Sequence, residues 1–447
     1  MQHKQKIAIV GTGISGLSSA WLLNQHHDIT VFEKDSRLGG HSNTVDISTT
    51  AGTIAVDTGF IVFNEVCYPN LVALFKHLGV PYQGTEMSFG VSIDDGRLEY
   101  SGSDSIATLF AQKRNMLRPR FWKMLIDLLR FYRSSEHWLD TLPETMTLGE
   151  LLRQEKFGPG FCDDHLLPMG AAIWSTPVDQ MLEYPAKAFL RFCDNHALLK
   201  VKERPRWQTV IGGSQEYVKR ISADFTDRVK LNCGVAMVTR HADSVEVRDE
   251  QGETHYFDHI VFACHADQTL AMLSDASNEE QRLLGAFRYE HNEAVLHRDE
   301  ALMPKRGEVW SSWNYLANSD AHSRRVSVSY WMNLLQHLPC AEPVVLSLNP
   351  LRPPRSQAIY GQFSYQHPVF NEPALAAQKE LWSLQGQQRS WFCGSYFGYG
   401  FHEDGIQSGL AVAEQLGERP RPWSLSNASD RICVGAPPTP SRASAAA

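Results

Sequence analysis

Apolar and polar positions follow several distinct rhythms along this chain. The β-branched run from Lys6 to Val10 predicts a strand buried on both faces, and the stretch from Ser15 to Gln25 behind a glycine-rich turn predicts a helix. Asp28 to Phe32 predicts the next strand, so the chain opens as strand, turn, helix and strand, the start of a parallel α/β sheet. Helical spacing dominates from about Ser101 to Lys200. Val229 to Leu231, Val235 to Val238 and Val245 to Val247 alternate in strand fashion ahead of the apolar run His259 to Cys264, which predicts a three-stranded meander followed by a parallel strand. Phe287 to Gly386 is rich in Trp, Tyr and β-branched residues, as in Trp310 to Tyr315 and Val326 to Met332, and predicts an antiparallel sheet. A last helix spans Ile406 to Leu416; from Glu418 on, five prolines and a Ser-Ala ending predict a disordered tail over 418–447.

Size and composition narrow the classes. A chain of 447 residues exceeds what one core usually organises, so two domains are expected. Apolar residues at 43% and charged residues at 21% are globular values, and a net charge of −8 argues against nucleic-acid binding. No stretch reaches the eighteen or so apolar residues of a spanning helix, which leaves peripheral membrane contact as the form such contact would take. The start lacks a signal-peptide pattern, and the eight cysteines lie far apart without a CxxC pair. Both features predict reduced thiols and a cytoplasmic location.

The turn carries the chemistry. Gly11, Gly13 and Gly16 stand in G-x-G-x-x-G spacing: the first permits the tight turn, the second lets a diphosphate touch the backbone, and the third lets the helix pack on the strand. Ile14 and Ser15 supply amides of the helix's first turn, where anions bind. Glu33, about twenty residues on at the end of the second strand, is placed to accept ribose hydroxyls and disfavours NADP, and Lys34 follows it.

Arg37, Gly39 and Gly40 complete an E-x-x-x-R-x-G-G pattern, and here the chain resembles the flavin amine oxidase and desaturase superfamily. His41 stands where that family commonly has arginine. Thr58 and Gly59, within Val56 to Phe60, match its strand and turn beside the flavin, and Trp207 to Ser214 matches its return to the cofactor domain. Val235 falls where the backbone meets adenine. Gly394, Asp404, Gly405 and the helix from Ile406 match the closing flavin motif, in which a helix N-terminus faces flavin N1 and O2, which gain negative charge on reduction. The resemblance implies FAD, an α/β fold with a Rossmann-type domain over 1–100, 201–286 and 387–417, and a substrate domain over 101–200 and 287–386.

Two departures concern the substrate. Amine oxidases of this family typically keep a lysine near flavin N5, whereas the matching strand, Tyr289 to His297, has none and Lys305 lies beyond it. His402 adjoins the acid-glycine pair, and Phe363, Tyr365 or His367 would form the other wall, so that His402, His367 and Tyr365 are the candidate catalytic groups. The run from Tyr396 through Gly405 resembles a bacterial subgroup that includes desaturases of methylated phospholipid acyl chains in furan fatty acid formation. A basic, aromatic amphipathic segment from Lys113 to Arg133 agrees with a lipid acyl substrate and contact with an anionic membrane surface. An amine oxidase and a lipid-binding flavoprotein without turnover remain the alternatives, and the sequence leaves oligomeric state open.

Overall fold

The computed structural model describes residues 4–102, 106–174, 178–195, 198–199, 205–318 and 326–435. Strand β1, Lys6–Val10, is apolar on both faces because it lies at the centre of a parallel sheet. Helix α1, Ile14–Leu23, leads to β2, Asp28–Phe32, which pairs in parallel with β1 from Lys6↔Asp28 to Val10↔Phe32. Helix α2, Pro119–Thr141, buries Phe121, Met124, Phe131 and Trp138 at helical spacing. Strand β3, His259–Phe262, takes the other side of β1. Strands β4, Arg288–His297, and β5, Ile359–Val369, form a long antiparallel pair, while β6, Ser390–Phe392, adds to β3 in parallel. Helix α3, His402–Gly417, closes the cofactor half.

The first sheet runs Val229–Lys230, β2, β1, β3, β6, all parallel, with the meander Val235–Arg240, Val245–Asp249 and Thr254–Phe257 beside it. The second has seven strands: β5, β4, Val345–Leu348, Val326–Trp331, Trp313–Ala317, Phe89–Ile93 and Leu98–Gly102. Its last two strands, within residues 89–102, lie at the boundary expected near residue 100 and join the second sheet. Phe89–Ile93 does so by pairing in parallel with Trp313–Ala317, a contact between distant parts of the chain.

Helices α1 and α3 cross at van der Waals range. A Cβ on Gly409 would lie 2.4 Å from the Ser15 carbonyl oxygen, and one on Gly405 2.7 Å from Ile14. Ser19 Oγ donates to the Gly409 carbonyl at 2.9 Å across the same contact. All ten residues of α1 are therefore buried, between the sheet on one side and α3 on the other.

The expected disordered tail is corrected for residues 418–435. Trp423 stacks on Trp21 with centroids 5.9 Å apart, Ile432 is buried, and the buried Arg421 guanidinium binds Glu414 and Asn70. The stretch around Pro420 and Pro422 delivers Arg421 to α3 and Trp423 to α1, which overrides the disorder that its composition suggests. The Ser-Ala ending lies outside the described residues.

Candidate cofactor and active site

The diphosphate cradle follows from three close approaches. Gly11 adopts φ +101°, and a Cβ there would sit 2.9 Å from the Ala263 carbonyl oxygen at the end of β3. A Cβ on Gly16 would come within 1.9 Å of the Gly11 carbonyl oxygen, so the helix can start only on glycine. Gly13, the N-cap of α1, has no capping side chain and open space where a Cβ would point. The Gly39–Gly40 loop crosses over it, with a Gly40 Cβ position 3.0 Å from the Gly13 Cα. First-turn amides without a side-chain cap, facing open space, fit a diphosphate.

Arg37 shapes this loop by donating to the carbonyls of Leu38, Gly40 and Ser42, while Lys34 is exposed. The buried Glu33 carboxylate accepts from the Thr12 amide and hydroxyl and from the Asp35 amide. Its carbonyl accepts from the Cys233 amide at 2.8 Å, which brings the meander and buried Val235 to the same end of the site. These are the places a ribose and an adenine require.

At the other end, the N-termini of α1 and α3 converge, with Gly405 against Ile14 and Ser15 and Ile406 fully buried. Asp404 accepts from the Phe401 amide at 2.7 Å and faces Arg431 at 3.6 Å, so its carboxylate orders the turn from behind. Gly394, two residues beyond β6, donates its amide to Ser408 Oγ of α3.

A wall of neutral rings stands between the cradle and β5. Tyr365 accepts from Asn43 Nδ2 at 3.0 Å and shares a 2.7 Å hydrogen bond with Thr58. The turn at Gly59 is packed against His41, since a Cβ there would lie 2.1 Å from the His41 carbonyl oxygen. The His41 ring lies 5.1 Å from Tyr365 and 5.5 Å from His367. Gln366 provides a backbone acceptor to His41, whose Nε2 is buried without a partner. A proton on Nδ1 satisfies that acceptor and leaves a lone pair on Nε2. Burial pushes His41 down to about 4 and His367 to about 3, so both are neutral at ordinary pH.

Pairing in β4 and β5 sets Asn292 opposite Tyr365 and Glu290 opposite His367, and directly paired residues share a face. Asn292 Nδ2 donates to His367 Nδ1 at 3.0 Å, and Asn292 Oδ1 accepts from Asn349 at 2.7 Å. Burial raises the Glu290 carboxyl above its ordinary value.

Tyr365, His367 and His41 form one ring cluster, and His402 lies within electrostatic reach of His41. The His402 ring stacks on Phe60 at 3.9 Å, and its Nε2 contacts Ser42 Oγ at 2.9 Å and Tyr217 OH at 3.2 Å. Burial lowers it to about 3. This half-buried, doubly partnered ring ties the start of α3 to Ser42 and Tyr217. Next to it, Asp57 accepts from Thr44, Gln336 and the Ser214 amide and hydroxyl; burial nevertheless pushes it up to about 6. Asn43, Tyr217, Glu290 and Asn292 escaped the sequence reading. Alternation along Tyr289 to His297 carried a signal for the last two, once one residue of that face was known.

A family model described as flavin containing amine oxidoreductase matches residues 14–295. The AofH protein of Mycobacterium tuberculosis, whose name proposes a flavin-containing monoamine oxidase, is 26% identical over 264 residues, 55% of this chain and 54% of its own. The chain thus spans about half the length of the curated relatives it matches. Among solved structures, putrescine oxidase bound to putrescine superposes with a TM-score of 0.64 at 15% identity, over 93% of this chain and 100% of its own. Cyclohexylamine oxidase from Brevibacterium oxydans gives 0.64 at 15%, over 93% and 100%. A fatty acid isomerase from P. acnes that produces CLA gives 0.64 at 13%, over 93% and 98%.

Proposed function

The chain belongs to the flavin containing amine oxidoreductase family, with FAD as its cofactor, and from that premise we propose that it desaturates a lipid acyl chain, a methylated phospholipid chain of furan fatty acid formation being the favoured substrate. FAD, when bound, supplies a two-electron acceptor that takes hydride from carbon. The chain's own residues hold the diphosphate at Gly13 and Gly40, bring the amides of Gly405 and Ile406 to the electron-rich end, and accept the proton. His41 is the acceptor, at Nε2, and Tyr365 and His367 line the path of the substrate. A base this weak suits a proton made acidic by departure of hydride from the neighbouring carbon; the two carbons then share the new double bond.

The observation that supports an acyl substrate is the wall itself, three uncharged rings with Asn292 behind them. An ammonium would give up its water against neutral imidazoles, whereas a hydrocarbon loses nothing there. The fatty acid isomerase among the structural neighbours is in keeping with this choice.

Amine oxidation is the second reading, favoured by Glu290, a half-buried carboxyl beside His367 that an ammonium could pair with, and by the names of the relatives. Anaerobic mixing of the FAD-loaded protein with unsaturated phospholipid vesicles, or with a panel of amines, separates the two through bleaching of the flavin. Bleaching by vesicles and not by amines is the expected result. Bleaching by amines alone, with peroxide on readmitting air, transfers the site to amine oxidation. Bleaching by neither leaves a flavoprotein that binds lipid without turnover.

A further inference from the structure

We propose that the face carrying Met116, Leu117, Trp122, Ile126 and Leu129 docks the protein onto an anionic phospholipid bilayer. Five of the ten exposed large apolar side chains among the described residues fall in this one segment, with Leu117 at 86% and Ile126 at 64% exposure. A contiguous apolar surface of this kind marks a contact site. Trp122, Ile126 and Leu129 recur at helical spacing on the outer side of α2, opposite the buried Phe121, Met124, Phe131 and Trp138. The short 3₁₀ turn Lys113–Leu117 extends the patch, and the Trp122 indole fixes it by donating to the Met116 carbonyl at 2.9 Å. The patch is thus a built surface anchored from within.

Charge selects the occupant. Arg120 is paired with Asp164, and Arg130 with Asp127. Arg114 and Arg118 donate to the Arg97 carbonyl, a neutral acceptor, and neither forms an ion pair among the described residues. Lys113, Lys123 and Arg133 have no ion pair among the described residues and are exposed. A protein of net charge −8 therefore presents a cationic rim around an apolar centre. Apolar side chains entering the acyl boundary while cations meet headgroup phosphates is the pattern of interfacial helices. A second copy of the chain fits poorly, because a two-fold contact would set the same cations against each other. The surface does not depend on which substrate the flavin oxidises, and its test is read without turnover.

The test is sedimentation of the FAD-loaded protein with phosphatidylcholine vesicles, with and without phosphatidylglycerol. Binding is expected only with phosphatidylglycerol and should weaken as salt rises. The double variants Leu117→Glu/Ile126→Glu and Lys113→Glu/Lys123→Glu each weaken it by about tenfold or more, with melting temperature and flavin spectrum unchanged. The proposal is overturned if the parent protein stays in the supernatant at low salt, if both variants bind like the parent, or if sedimentation velocity shows a dimer that Leu117→Glu/Ile126→Glu dissociates.

Discussion

His41 follows the glycine pair that crosses the diphosphate cradle, and its ring reaches the substrate wall. Its backbone closes against Gly59 while its Nε2 remains without a partner. His41→Asn keeps a polar side chain of smaller size but removes the base. Flavin content should stay near one per chain, and the rate of anaerobic flavin reduction by acyl substrate should fall by about 10²-fold or more in stopped flow. An unchanged rate would assign proton transfer elsewhere. His402 behaves differently, because its ring is committed to Phe60, Ser42 and Tyr217. Proximity to the acid-glycine pair made it conspicuous in the sequence, and the first turn of α3 directs its half-buried ring onto Phe60. A residue's direction depends on the turn that carries it, which a one-dimensional motif does not state.

At the level of elements, α1 and its turn contain two glycines with opposite requirements. Gly16 is confined by the Gly11 carbonyl, whereas Gly13 borders open space. Gly16→Ala should therefore destabilise the flavin-free protein by about 3 kcal/mol, measured by urea unfolding. Gly13→Ala should leave that stability intact and weaken FAD binding by about tenfold or more, measured by titration. Equal losses of stability in the two variants would contradict the cradle geometry. These local steric needs are why the glycine spacing, β1, α1 and the closing helix were legible in the sequence. The facing pairs Asn292 with Tyr365 and Glu290 with His367 were not, because β4 and β5 are far apart in the chain and register between them is a long-range choice. Phe89–Ile93 was obscured for the same reason, its partner lying at Trp313–Ala317.

For the whole molecule, the segment after α3 is structural. Truncation after Gly417 would remove Trp423 from Trp21 and leave Asp404 buried without Arg431, at a cost of about 3–5 kcal/mol, visible as a lower melting temperature and lost flavin. Stability should also fall with acid. His41, His265, His297, His367 and His402 are held neutral at about 3 to 4 by burial, against an ordinary value of 6.5 in the unfolded chain. Their depressed values contribute stability above pH 6.5 that is lost as pH falls towards 4. Between pH 6.5 and 5 each costs up to about 2 kcal/mol. Asp57, raised to about 6, acts in the opposite direction, as do Glu290, Glu403 and Asp404, whose carboxyls burial also raises: four carboxyls against five histidines. Melting of the flavin-free protein at pH 7 and pH 5 checks the sign; a higher melting temperature at pH 5 would refute it.

The crossing of α1 with α3, glycine on serine, has a temporal consequence. Synthesis delivers the two halves of that crossing at widely separated moments, so an emerging polypeptide holds half a nucleotide cleft until α3 leaves the ribosome. Yellow colour is then gained in one late event, and an arrested nascent chain ending before Gly405 should be unable to retain the pigment.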